Sequence, residues 1–218
     1  MHTDEAKWIS GKILSLHLSK GSRVLNVGSS TQEFRINHQP HIDLFVFRPL
    51  RERGIQVIHQ DIKEAAGVNF VGDLTDGDSL SRLKDLRCNL VLCNNLLEHL
   101  ADRAPLLEAL REIVPPGGYL ILTGPFEYYK HMDPIDTMYR PSISDLGALF
   151  PDMDLLDSAL IDAGTVWRSF SKHPMGLAKL LIRVALPFWK HRGWITAVHK
   201  LLWLFRRRTI ACVLLQNQ

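Results

Sequence analysis

The stretch Arg23-Val24-Leu25-Asn26-Val27-Gly28-Ser29-Ser30 decides the fold. Val24, Leu25 and Val27 make a short apolar run that stops at Gly28-Ser29-Ser30, the pattern of a buried strand turning into a loop in a parallel α/β sheet. Working outward, the same reading places further strands at 56–59, 69–71, 90–93, 119–123, 155–162 and 209–215. Residues 5–18 carry Ala6, Ile9, Ile13, Leu14 and Leu16 at mostly helical spacing, and Lys20-Gly21-Ser22 ends that lead-in helix. Asp102 is positioned to cap a helix running to Val114, with Leu106, Leu107, Leu110 and Val114 on one face and Pro115-Pro116-Gly117-Gly118 as its stop. A further helix, capped by Ser142 or Ser144, runs to Phe150. The alternation predicts a Rossmann-like, seven-stranded, mostly parallel sheet with helices on both faces and a helical insertion before the last strand, in one α/β domain over residues 1–218.

Composition agrees. With 218 residues, 46% of them hydrophobic, the chain can bury a core without staples, which excludes disordered and collagen-like classes. Cys88, Cys93 and Cys212 are an odd count at no zinc or redox spacing, so a reducing cytoplasm and no metal are expected. No basic leader precedes an apolar core, and no apolar run approaches the length of a span.

Charge is divided unevenly along the chain. Residues 163–218 hold ten Lys and Arg and no carboxylate side chain, leaving residues 1–162 with sixteen basic against twenty-three acidic residues. The halves stand at +10 and −7, and four of the five tryptophans (Trp167, Trp189, Trp194 and Trp203) lie in the basic one. Such a split predicts that the last quarter of the chain meets something anionic.

In parallel sheets ligands sit beyond the carboxyl ends of the strands, so those ends are read as one set. They are Gly28-Ser29-Ser30, Asp61, Gly72-Asp73-Leu74 and Asn94-Asn95-Leu96-Leu97-Glu98-His99. Gly28 permits positive φ and close approach of backbone to a ligand, and a carboxylate after the second strand is placed for both hydroxyls of a ribose. An adenosine-bearing cofactor is the guest this set suits. A dinucleotide oxidoreductase would need a three-glycine turn that Gly28-Ser29-Ser30-Thr31-Gln32 lacks.

On these residues the chain resembles the class I S-adenosylmethionine-dependent methyltransferases, over about residues 20–163 and the closing strand. Asn26-Val27-Gly28-Ser29-Ser30 aligns with the family's acidic-x-Gly-x-Gly opening, Asp61 with its ribose-binding acid, Asp73 with its adenine-contacting acid, and Pro115-Pro116-Gly117-Gly118 with its turn into the fifth strand. The resemblance implies S-adenosylmethionine as cofactor, bound by Asn26, Gly28, Ser29, Ser30, Asp61, Asp73, Leu74 and Asn94. Three departures stand out: Asn26 replaces the acid, Ser30 the second glycine, and Gln32 a third. Exchanging a charge-assisted bond for a neutral one predicts roughly tenfold weaker cofactor binding. The helix between the second and third strands is expected only over 63–67.

After the fifth strand comes Tyr128-Tyr129-Lys130-His131-Met132-Asp133-Pro134-Ile135-Asp136-Thr137-Met138-Tyr139-Arg140-Pro141. It is similar to the His-x-Asp-Pro-x-Asp-x-x-x-Arg-Pro segment of bacterial methyltransferases associated with glycan and small-molecule tailoring. Methyl transfer to a hydroxyl needs alignment and a proton acceptor, so His131 is the candidate base, with Asp133 and Asp136 as its orienting partners. Tyr128 and Tyr129 are candidates to face a cationic sulfonium, and Arg140 to bind substrate. Plainer readings stand beside these. Asp61 and Asp73 would serve as turn residues, Asp136 and Arg140 as an i,i+4 surface pair, Glu98 and His99 as packing or supporting groups, and the cysteines as core fillers.

In the basic tail, Leu177, Leu180, Leu181, Val184 and Phe188 form one helical stripe, and Trp194, Val198, Leu201, Leu202 and Phe205 a second that ends in Arg206-Arg207-Arg208. This basic amphipathic insertion, at about 167–208, suits an anionic membrane surface first, a core or oligomer lid over the site second, and nucleic acid third. The expected function is O-methylation of a small-molecule, glycan or lipid-linked acceptor by a cytoplasmic enzyme, peripheral at the inner membrane face. A non-catalytic relative that binds a partner or membrane, and an RNA methyltransferase, are the alternatives.

Overall fold

All seven expected strands form, in one sheet of order β3-β2-β1-β4-β5-β7-β6. The computed structural model describes residues 1–131, 135–171, 174–185 and 191–218. The strands are β1 (Arg23–Val27), β2 (Gln56–Asp61), β3 (Phe70–Val71), β4 (Leu90–Asn94), β5 (Tyr119–Pro125), β6 (Met153–Thr165) and β7 (Arg207–Asn217). β1 pairs in parallel with β2 and β4, and β4 with β5, whereas β7 runs antiparallel between β5 and β6.

Period-two alternation in the strands divides the core. Val24 points into a cluster with Ala6, Ile9 and Ile13 of α1 (Thr3–Ser15) and with Phe47 and Leu50. The last two lie in helical turns after β1 that include α2 (Pro40–Ile42) and α3 (Arg48–Glu52). Leu25 and Val27 point the other way, against α4 (Gly77–Asp85), α5 (Ala104–Ile113) and α6 (Ile143–Ala148), through Leu83, Leu110 and Leu146. Each such buried aliphatic side chain contributes roughly 1.5–3 kcal/mol.

Two local expectations change. Residues 63–67 form a turn with Gly67 at φ +79°, and no helix. Eight residues separate β2 from β3, fewer than the dozen or so that a helical crossover takes. The N-cap position of α5 is Arg103, while Asp102 accepts from the Ala104 amide at 3.1 Å. Ser142 caps α6 as expected, in a reciprocal box with Asp145.

Between β6 and β7 lie α7 (Val166–Ser171), α8 (Pro174–Ala185) and α9 (His191–Leu202). Their inner faces make a third cluster of Val166, Phe170, Leu180 and Ala197 around Tyr129, with Leu177, Val184 and Leu201 at its border. The stripes read from the sequence are therefore split. Leu181, Leu202 and Phe205 are exposed, and Phe188 lies outside the described residues. Arg206-Arg207-Arg208 is not one basic face either. Arg208 is buried and donates to the carbonyls of Ala163, Gly164 and Thr165, Arg207 pairs with Asp162 at 2.9 Å, and Arg206 lies over Trp203. Among the described residues no helix is long and apolar enough to cross a membrane.

Candidate active site

The cofactor edge is built by the loop after β1. Gly28 has φ +62°, and a Cβ there would stand 3.1 Å from the δ-carbons of Leu96, so the position suits glycine on both counts. Ser30, at the expected second glycine, also takes a positive φ of +56°. Its amide donates to Asp61 Oδ2 at 2.9 Å, and Asp61 Oδ1 accepts from the Lys63 amide. Each carboxylate oxygen keeps acceptor capacity for a ribose hydroxyl.

Two residues the sequence reading passed over hold this edge. The Arg35 guanidinium, 4% exposed, donates to the carbonyls of Ser29 (2.8 Å), Ser30 (2.6 Å) and Gly67 (2.7 Å), tying the loop to the turn before β3. Gln60 accepts from the Gly28 amide through Oε1 and donates to the Gly72 carbonyl, bridging the ends of β1 and β3. Their polarity within apolar surroundings was the available signal, but it does not name the partners.

The remaining cofactor candidates are distributed as follows. Asn26 Nδ2 donates across the sheet to Nδ1 of His59, on the side covered by Phe47. Asp73 is exposed and accepts from the amide and hydroxyl of Thr75, and Leu74 is part of the core. Asn94, at the end of β4, keeps its Nδ2 buried without a hydrogen-bond partner among the described residues.

The other side of the site begins on α1. Glu5 lies on the same helical face as Ile9 and Ile13, fully buried, and accepts from Asn95 Nδ2 (2.6 Å), the Thr123 hydroxyl (2.7 Å) and the His2 amide (2.9 Å). A carboxylate on an apolar helical stripe was its sequence signal. His2 Nε2 is hydrogen-bonded to the Tyr128 hydroxyl at 3.0 Å, and burial, helped by Arg208, holds its pKa at about 4. Tyr128 stacks on Tyr129 with centroids 4.8 Å apart, and burial pushes its phenol pKa up. Tyr129 is covered by the third core cluster, so Tyr128 is the ring left beside His131, at 5.5 Å.

His131 is half-buried, with Nδ1 3.1 Å from Asp136 Oδ2. Burial lowers its pKa and outweighs the opposing pull of Asp136, which favours the uncharged ring. Asp136 and Arg140 are not a surface pair. The Asp136 side chain is fully buried and accepts from both Arg140 terminal nitrogens (3.1 and 2.7 Å) and from the His131 and Met138 amides. Burial alone would raise its pKa, but these bonds bring it to about 2. Arg140 also donates to the carbonyls of Tyr128, Tyr129 and Tyr139, and so locks the loop. Asp133 lies outside the described residues.

Glu98 and His99 follow β4 on a short 3-10 turn, fastened to the loop by the Thr137 amide and hydroxyl, which both donate to the Glu98 carbonyl. One donor atom from each of Glu98, His99 and His131 lies within 4.8 Å of the others. Burial raises the Glu98 pKa, which the neighbouring His99 and Arg140 partly offset. The site thus joins a cofactor-sized edge to a group of carboxylate and imidazole donors beneath an aromatic wall.

A profile of the family described as "Methyltransferase domain" matches residues 3–156. No curated protein matches the sequence significantly. Among solved structures, the chain is similar to an S-adenosylmethionine-dependent methyltransferase from Geobacter sulfurreducens in complex with S-adenosyl-L-homocysteine, at 15% identity and TM-score 0.55 over 99% of this chain and 91% of that one. It is also similar to coclaurine N-methyltransferase bound to N-methylheliamine and SAH (14%, TM-score 0.56, 98% and 71%). The [4+2]-cyclase SpnF shares the fold as well (15%, TM-score 0.59, 99% and 81%), so the fold by itself does not name a reaction. The family match covers most of the chain, and with the strand order and the loop after β1 it identifies this protein as a member of the methyltransferase-domain family, the class I S-adenosylmethionine-dependent methyltransferases.

Proposed function

We propose that this methyltransferase uses S-adenosylmethionine to methylate an oxygen of an acceptor bound beside the packed rings of Tyr128 and His131. The residues around the loop after β1 fit the cofactor: Gly28 takes the positive φ that turns the loop, Asp61 has acceptor capacity for a ribose, and Asn94 Nδ2 is a buried donor without a partner among the described residues. The cofactor supplies an electrophilic methyl group on a sulfonium. The chain supplies alignment and a lone pair for the acceptor's hydroxyl proton. The observation that carries the oxygen reading is the half-buried imidazole of His131, which packs edge-on to Tyr128 with its backbone amide fixed by Asp136. Asp136, already fixed by Arg140 and two amides, acts through His131 and not on substrate.

Calorimetric titration with S-adenosylmethionine tests the first half, and Asp61→Ala should lose about 1.5–3 kcal/mol per ribose bond. No saturable heat in wild type would defeat the enzyme reading. For the second half, His131→Ala should lower turnover by roughly 10² to 10⁴ with cofactor affinity unchanged. Equal turnover would remove His131 from the reaction.

The acceptor we favour is lipid-linked, presented at an anionic membrane surface under α8 and α9. Support comes from the outer arc of α8, where Met175, Ala178 and Ile182 share an exposed face flanked by Lys179 and Arg183. The inner face of the same helix packs around Tyr129, so docking there would bring a lipid headgroup to the aromatic wall.

A further inference from the structure

We propose that Glu98, His99 and one ring nitrogen of His131 form a binding site for a divalent transition-metal cation of the zinc class. Glu98 is 2% exposed, and its Oε2 has no hydrogen-bond partner among the described residues. A carboxyl with an unpartnered, deeply buried oxygen is costly to ionise, so it either keeps its proton or gives it up to a cation that joins it. His99 does not fill that need, because its Nε2 stands 3.8 Å from Glu98 Oε1, beyond hydrogen-bond range.

The geometry around the three donors is that of a site with its outer supports in place. His99 Nδ1 is hydrogen-bonded to the Ile135 carbonyl. A carbonyl only accepts, so in the uncharged ring Nδ1 carries the proton and Nε2 presents its lone pair, as in histidines oriented for metal. His131 Nδ1 is buried and makes no hydrogen bond of adequate geometry, although Asp136 is 3.1 Å away. The His131 and His99 rings meet edge to face at 5.4 Å. Donors about 2.1 Å from a zinc ion stand roughly 3.4 Å apart, so the 4.8 Å spread closes by up to about 1.4 Å on binding.

Two imidazoles and one carboxylate select zinc, cobalt, manganese or iron over magnesium and calcium, which prefer oxygen throughout. Three protein ligands leave coordination positions open, as in catalytic sites. An acceptor oxygen bound there would sit beside Tyr128. This consequence rests on the oxygen-acceptor reading but takes over the part given there to His131, since a neutral imidazole has one lone pair and a metal would occupy it; the site itself is measured without turnover, so either can fail alone.

The test is titration of the full-length chain with Co(II), read by its visible absorption, with Zn(II) as displacing ion and Mg(II) as control. The expected result is one equivalent of cobalt, displaced by zinc and not by magnesium, with a higher Tm in zinc. Glu98→Gln and His99→Asn should each weaken cobalt binding by at least about tenfold. Metal-free Glu98→Gln should melt no lower than wild type, since it removes a buried group that is costly to ionise, and His99→Asn gives the same reading should that variant fail to fold. Absence of a cobalt spectrum at millimolar metal, or unchanged affinity in both variants, would overturn the site.

Discussion

His59 lies in β2 with its ring edge-on to Phe47 at 4.7 Å and its Nδ1 accepting from Asn26. Burial, reinforced by Arg35 and Arg51, holds its pKa down to about 3, whereas in the unfolded chain it titrates near 6.5. Between those values the unfolded state binds a proton that the native state refuses, so stability is full above about pH 6.5 and falls as the solution is acidified. At about 1.4 kcal/mol per unit of pH, the loss near pH 4.5 is roughly 2–3 kcal/mol from this residue, with a further share from His2. Urea denaturation at pH 7.5 and 4.5 measures it, and His59→Gln should flatten the slope. An unchanged slope in that variant would assign the acid sensitivity elsewhere. Asn26, at the position of the family's usual acid, thus pairs with a neutral ring, a role its sequence position did not reveal.

Among the elements, α1 is the one whose importance the chemistry of its residues understates. Its apolar stripe was legible and predicted a lead-in helix, but Glu5 on that stripe reaches residues 90 and 118 positions away. Glu5→Ala should destabilise by about 2–5 kcal/mol, because the Asn95 amide and the Thr123 hydroxyl are left buried without an acceptor. Glu5→Gln, which keeps one carbonyl oxygen, should cost less than half as much. Equal midpoints of urea denaturation for wild type and Glu5→Ala would show that water satisfies those donors. The strands and their order were readable because apolar runs ending in turn residues carry the period and the punctuation of a sheet. The partners of Arg35, Gln60 and Glu5 were not, since a polar residue among apolar ones marks a buried position without naming the distant groups it will meet.

At the scale of the molecule, the division of charge maps onto the division of structure. The carboxylate-free segment supplies α7, α8, α9 and β7, and among its described cations Lys179 and Arg183 are exposed on α8 while Arg207 and Arg208 are spent on the chain itself. If α8 docks on lipid as proposed, vesicles containing phosphatidylglycerol should sediment the protein, neutral vesicles should not, and high salt should release it. Met175→Glu with Ile182→Glu should abolish sedimentation while leaving the circular dichroism unchanged. Sedimentation of that double variant equal to wild type would exclude α8 as the docking face. The sequence showed the charge split and both stripes, yet not which half of each stripe turns inward, because that depends on where Tyr129 and Phe170 sit in three dimensions.

The position of β7 carries one more implication, for how the chain is made. The last of the seven strands in chain order lies between β5 and β6, and it pairs with both along most of its length. As synthesis proceeds, β5 and β6 emerge with ladder groups that have no neighbour until β7 follows, and an unpaired edge invites pairing with another chain. β6 meets this with charged side chains and two irregularities of register, at Leu155/Asp157 and Asp162/Thr165, which discourage flat association. Thr123, already paired with Asn94 on β4, gains its second neighbour, Cys212, only when β7 inserts, so the partner of Glu5 is closed in on both sides by the strand farthest from Glu5 in the chain.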